Sequence, residues 1–448
     1  MPGDKMKEVV FAFRPELGRI YDEEKQISLV DYSRRIYTEN NRAHPIVAQA
    51  ITAIAKRCLG DEVAGNVQKS LSGNNYVSTV DHHGPLSHAA FFQPHLVRTI
   101  LDRQENIPAT IVLSCGSVSL DNHTFPRGLF FHSEEGMRVR LPLISLRDRH
   151  VSVYGAKPFA YQDIAHNLSN IKTCPSVVEA LTSVFEDVEL YTKDTYRDQV
   201  TFINHRLMER ILPRESDFVS ITIEEVVREI LCTEYLFSNS GIAPMLFDTE
   251  ARTRFLVATN GIQTSHDFAR PNTTVLFWGL QNGVRIPLRI NDGMLIDREG
   301  LIGIPFDQYH IEAALRAEQI FPNLALCLLV LSSLGMQLGG GFFQVDYLPQ
   351  LIAKTEHLCV SLNHGMSFKE SAHFMGGDYL LLPSMNASAV TLLDHIRHPM
   401  TSHEILQFGN TTTVSEAIDR IIPEVYHILD KKLRNEWEGV VMNTTDLL

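Results

Sequence analysis

The sequence predicts a mixed α/β fold with at least one parallel βαβ unit in the N-terminal half and a helix-rich middle and C-terminus. Three neighbouring segments carry this expectation. NNYVSTVD (74–81) is β-branched and flanked by turn formers, PHLVRTILDRQ (94–104) has helical apolar spacing behind a proline suited to a first turn, and ATIVLSCGSVSL (109–120) is β-branched again. A strand, a helix and a strand in such close succession form a crossover unit whose two strands run parallel.

The other elements follow in order. HPIVAQAITAIAKRCLG (44–60) predicts a helix that stops at a glycine. GLFFH (128–132), MRVRLPLI (137–144) and HVSVYG (150–155) read as short strands with antiparallel pairing. Helices are expected over 174–190, 196–212 and 222–237, the last with Thr222 as its cap ahead of Glu224 and Glu225. Strands return at TRFLVATN (253–260), TTVLFWGL (273–280), VRIPLRI (284–290) and MLIDREGLIGIP (294–305), followed by a helix over 310–320, the Gly-rich LGGGFFQVDYLPQLIAKTEHL (338–358) and a closing helix over 413–437. NLALCLLVLSSLGMQL (323–338) is too short to span a bilayer and is interrupted by Ser332, Ser333 and Gly335, so it is expected as a buried helix or strand pair.

PRES (213–216) marks the expected boundary between an N-terminal α/β domain (1–213) and a second α/β domain with a helical C-terminus (214–448). The length of 448 residues equally suits one large elaborated domain. At 44% hydrophobic residues the chain can fill a sizeable core, and a net charge of −13 argues against nucleic acid as the main partner. The opening MPGDKMKEVVFAF lacks a secretory signal, and the six cysteines contain no C-x-x-C pair, so a cytoplasmic location with reduced thiols and no membrane partner is expected. A homodimer fits a chain of this size.

Chemistry concentrates in YVSTVDHHGPLSHAAFF (76–92). Parallel strands release their following loops at one carboxyl edge, where α/β proteins bind ligands. Asp81, His82, His83 and His88 would meet Cys115, Asp121 and His123 there. Seven of the 19 histidines lie between positions 82 and 150, more than twice an even share.

Imidazoles and carboxylates are the ligand set of zinc, iron or manganese. His83, His88 and His123 are therefore the candidate metal ligands, with Asp81, Asp121 and His82 as candidate proton-transfer groups. Arg127 and His132 are the candidate substrate-binding residues. The leading expectation is a metal-dependent hydrolase that uses metal-activated water on a small polar or anionic substrate.

Two alternatives use the same edge. One is a metal-independent transferase or lyase using Cys115 as nucleophile or a His/Asp acid–base pair. The other is a noncatalytic binding or assembly protein. No H-E-x-x-H, phosphate-loop or dinucleotide-binding pattern is present.

Overall fold

The computed structural model describes residues 2–428 apart from 37–40, 123–127, 134–137, 170–173, 214, 239–241, 261, 263–274, 363–367, 369–372, 375–380 and 383–387. At its centre lies a five-stranded sheet in the order His373–Phe374, Gln337–Gly340, Tyr76–Ser78, Ala109–Ser114, Asp217–Thr222, with every pair parallel. The crossover helix between Tyr76–Ser78 and Ala109–Ser114 runs over Ala89–Gln104, one and a half turns longer at its start than the sequence suggests. His88 caps it, accepting the Phe92 N–H on its carbonyl at 2.8 Å, and Pro94 sits within its first turns.

The chain steps outward from Tyr76–Ser78 through Ala109–Ser114 to Asp217–Thr222, then returns to the opposite side of its first strand. Strand order therefore reverses between Tyr76–Ser78 and Gln337–Gly340. In this class of sheet the connections on the two sides of such a reversal leave in opposite directions, and ligands bind outside the carboxyl ends of the strands there. Residue 213 falls between Ala109–Ser114 and Asp217–Thr222, which pair along six residues. One sheet thus draws strands from both sides of the predicted boundary.

A second, antiparallel sheet runs Ile320–Pro322, Phe277–Gln281, Val284–Asn291, Met294–Ile296, Gly303–Pro305. Its tight hairpins turn at Asn282-Gly283 and Asp292-Gly293, all four with positive φ, the geometry that Asn-Gly and Asp-Gly pairs adopt most readily. The apolar 323–338 segment becomes a buried helix, Leu324–Ser333, capped by the Asn323 side chain, and then the strand Gln337–Gly340.

Two predicted strands are corrected. TRFLVATN belongs to a helix, Thr249–Thr259, because the Asp248 carboxylate caps the Ala251 N–H at 2.7 Å and Ala251, Phe255 and Thr259 bury one helical face. HVSVYG makes only a lone bridge from Ser152 to Ser119 before a 3-10 turn at Val153–Gly155, since Ser152 caps that turn.

Helices Pro2–Phe13, Pro15–Glu23 and Leu29–Ile36 were not anticipated. Together with Val414–Ile428 they form an apolar cluster that includes Val10, Leu17, Ile418 and Ile421 and closes over Val80, Phe91 and Phe342. Each such side chain, once buried, contributes about 1.5–3 kcal/mol. Helices from residues 2–36 and 414–428 thereby cover this side of the sheet's carboxyl edge. Among the described residues no helix is long and apolar enough to cross a membrane.

Candidate active site at the carboxyl edge of the parallel sheet

The loops after Tyr76–Ser78 and Ala109–Ser114 are joined by backbone. Cys115 N–H donates to the Asp81 carbonyl and His83 N–H donates to the Cys115 carbonyl, both at 2.8 Å. The pairing continues the sheet past the ends of the two strands, so Asp81–His83 and Cys115–Asn122 share one mouth.

Asp81 is buried at this edge, with the His82 N–H on Oδ1 at 2.7 Å. Loss of solvation disfavours its charged form and raises its pKa from 3.8 to about 7, against the pull of the His82 N–H and the His88 charge. His82, half-buried, presents Nδ1 to Asn122 Oδ1 at 3.2 Å. Asn122 donates its own amide N–H to the Ser119 carbonyl at 2.8 Å, which turns its oxygen toward the imidazole and makes Nδ1 the protonated nitrogen of that pair. Nε2 is then the basic one.

His83 is a tie rather than a probe of the mouth. Its Nε2 donates to the Arg197 carbonyl at 3.0 Å and its Nδ1 pairs with Ser114 Oγ at 2.8 Å, so both nitrogens are committed. Burial lowers its pKa to about 4 and keeps the ring neutral. His88 lies beneath the helical roof with Nε2 3.0 Å from Glu424 Oε1. The predicted ligands His83 and His88 are thus each held by protein partners. Among the described residues no group of three or more His, Cys, Asp or Glu side chains could hold a metal ion. His123 and Arg127 lie outside the described residues.

The Cys115 thiol is buried and donates to Glu224 Oε1 at 3.5 Å, while the N–H groups of Gly116 and Ser117 bind the same carboxylate at 2.8 and 2.7 Å. Burial first, then the Glu224 charge, push its pKa up, the direction opposite to that of an activated thiolate. Gly116 is required at this position, because a Cβ there would meet Thr222 at 2.8 Å. Asp121 is half-buried and donates its N–H to the Arg149 carbonyl at 3.1 Å. His132 stands on a separate hairpin and pairs with Asp394.

Two participants escape sequence reasoning. Glu224 and Glu424 lie 109 and 336 positions from the residues they bind. The glycine run 339–341 packs directly against the same edge: Thr79 donates its N–H to the Gly339 carbonyl at 2.6 Å, and a Cβ on Gly341 would stand 3.3 Å from Val80. The glycines join a strand to the helix Gln344–Ser361.

No protein-family model and no curated protein matches the chain.

Proposed function

We propose that this protein is a metal-independent enzyme of the lyase or transferase type that moves a proton on a small polar or anionic substrate at the carboxyl edge of the parallel sheet. The observation that carries this reading is Asp81, a buried carboxyl raised to about 7 beside the reversal of strand order. Near neutral pH such a group is present in both protonation states, so it can give a proton in one step and recover it in the next. His82, oriented by Asn122, supplies the second group at the mouth. The covering helices support the same reading, since their apolar packing around Val80 and Phe91 keeps water from the Asp81 loop and so sustains the shift at Asp81.

A zinc, iron or manganese hydrolase built on His83, His88 and His123 would require His83 to release Ser114 or Arg197, and His88 to release Glu424 or bind through Nδ1. Acid–base chemistry requires neither rearrangement. The two are separated by screening the purified chain against small hydroxy acids, amino acids and their phosphate esters, with and without chelator. Turnover that persists in chelator and falls about 10²- to 10⁴-fold in Asp81→Asn supports the proposal. Turnover abolished by chelator and restored by added metal overturns it.

A further inference from the structure

The hairpin of strands Gly128–His132 and Arg138–Pro142 stands apart from the parallel sheet and ends in an unusual contact. His132 grips Asp394 twice: its backbone N–H donates to Oδ1 and its ring Nδ1 to Oδ2, each at 2.7 Å. Asp394 is fully buried at the start of helix Leu392–Arg397, where Oδ2 also accepts the Thr391 N–H at 3.1 Å and the Thr391 hydroxyl at 2.8 Å. Arg397 donates to the His132 carbonyl at 2.7 Å and holds the strand end from the other side.

Placing the hairpin needs only the backbone bond. The second bond adds little to where the strand lies; it fixes the plane and the tautomer of the ring. With Nδ1–H on a carboxylate, Nε2 carries the lone pair, and among the described residues no group hydrogen-bonds it. The His132 side chain keeps 13% of its surface exposed, whereas the Asp394 side chain keeps none. This is the arrangement in which a buried carboxylate orients an imidazole to take a proton and stabilises the imidazolium that results.

We propose that His132 is a second proton-accepting position, for the hydroxyl of a small polar ligand or of water, with Asp394 as its positioning residue. In the step, the O–H bond breaks and the proton joins Nε2. The oxygen keeps the electron pair as a nucleophile, and the imidazolium stays anchored through Nδ1–H to Asp394. The site is bound to the Asp81 loop, because Phe130 N–H donates to Ser87 Oγ at 3.3 Å, yet it is argued from His132 and Asp394 alone and does not depend on the proton transfer assigned to Asp81.

The test is long-range ¹⁵N–¹H NMR of histidine-labelled protein together with acylation by diethyl pyrocarbonate, whose carbonyl is attacked by a neutral imidazole nitrogen, followed peptide by peptide. His132 is expected as the Nδ1–H tautomer and as a residue acylated about tenfold or more faster than buried His83, His95 and His395; Asp394→Asn should lower that rate by about 10- to 100-fold. His132→Asn, which keeps a donor for Asp394, should fold normally and lose only the modified peptide. An Nε2–H tautomer, or an acylation rate in the wild type no faster than that of the buried histidines, overturns the proposal. So does an Asp394→Asn variant that folds and is acylated at the wild-type rate. Should that variant fail to fold, the wild-type tautomer and rate decide.

Discussion

Asp81 holds its proton more tightly in the folded chain than in the unfolded one, because burial acts only on the former. Folding is therefore penalised progressively as pH rises from the unfolded value of 3.8, and the penalty is complete above about 7. A displacement of that size corresponds to about 4 kcal/mol as an upper figure. Asp81→Asn should accordingly be more stable than the wild type at pH 8, by up to about 4 kcal/mol, with the difference shrinking toward pH 4; urea denaturation at a series of pH values measures this. His95 and His395 work in the opposite sense. Burial lowers them to about 3 and about 4, so their neutral forms favour folding above the ordinary value of 6.5 and the chain loses stability as pH falls below it. Replacing His395 with Gln should reduce the slope of stability between about pH 4 and 6.5 by up to about 1.4 kcal/mol per pH unit, measured in the same series. Asp81, His82 and Cys115 could be placed together from sequence because one short crossover brings them there. Glu224, Glu424 and Asp394 could not, since nothing local distinguishes a carboxylate that will meet a distant partner.

At the scale of elements, the contact between Gly155 and Gly283 ties the loop after the first hairpin to the second sheet. Ser152 N–H donates to the Gly283 carbonyl at 2.8 Å, and a Cβ on Gly155 would lie 2.6 Å from that same oxygen. Backbone cannot yield there as a flexible side chain would. Gly155→Ala should therefore cost about 1–3 kcal/mol, read as a lower midpoint in thermal or urea unfolding. Helix Pro15–Glu23 shows a different dependence between elements. Its own N-cap, Arg14, supplies no side-chain cap; Asp346, from helix Gln344–Ser361, accepts the Glu16 N–H at 2.8 Å instead. Periodicity reveals a helix with an apolar stripe, such as Pro45–Leu59, but not a cap lent by another element, nor a FLVA run that a preceding Asp248 has already committed to a helix.

Across the whole molecule, the two sheets are joined by charge as well as by apolar packing. Glu225, from helix Ile223–Leu231, accepts Arg57 at 2.8 Å and Arg228 at 3.5 Å; Arg228 and Arg197 both pair with Glu318 at the edge of the second sheet, and Arg197 lies 4.1 Å over the Tyr154 ring. Without the Glu225 charge Arg57 keeps Asp198, Arg197 keeps Glu318 and Arg228 keeps Glu229 and Glu318, so the loss is shared. Glu225→Gln should cost about 1–3 kcal/mol, measurable by urea unfolding. The α/β class and the parallel crossover were legible in the pattern of apolar residues, but the single sheet spanning residue 213 was not, because pairing between strands more than a hundred residues apart leaves no periodic trace. The functional account rests on the proton affinity of Asp81. Carboxyl ¹³C NMR of aspartate-labelled protein, wild type against Asp81→Asn, measures it directly. The account predicts a resonance that titrates near pH 7 and disappears in the variant; if the resonance that disappears titrates near the ordinary value of 3.8, the account is contradicted.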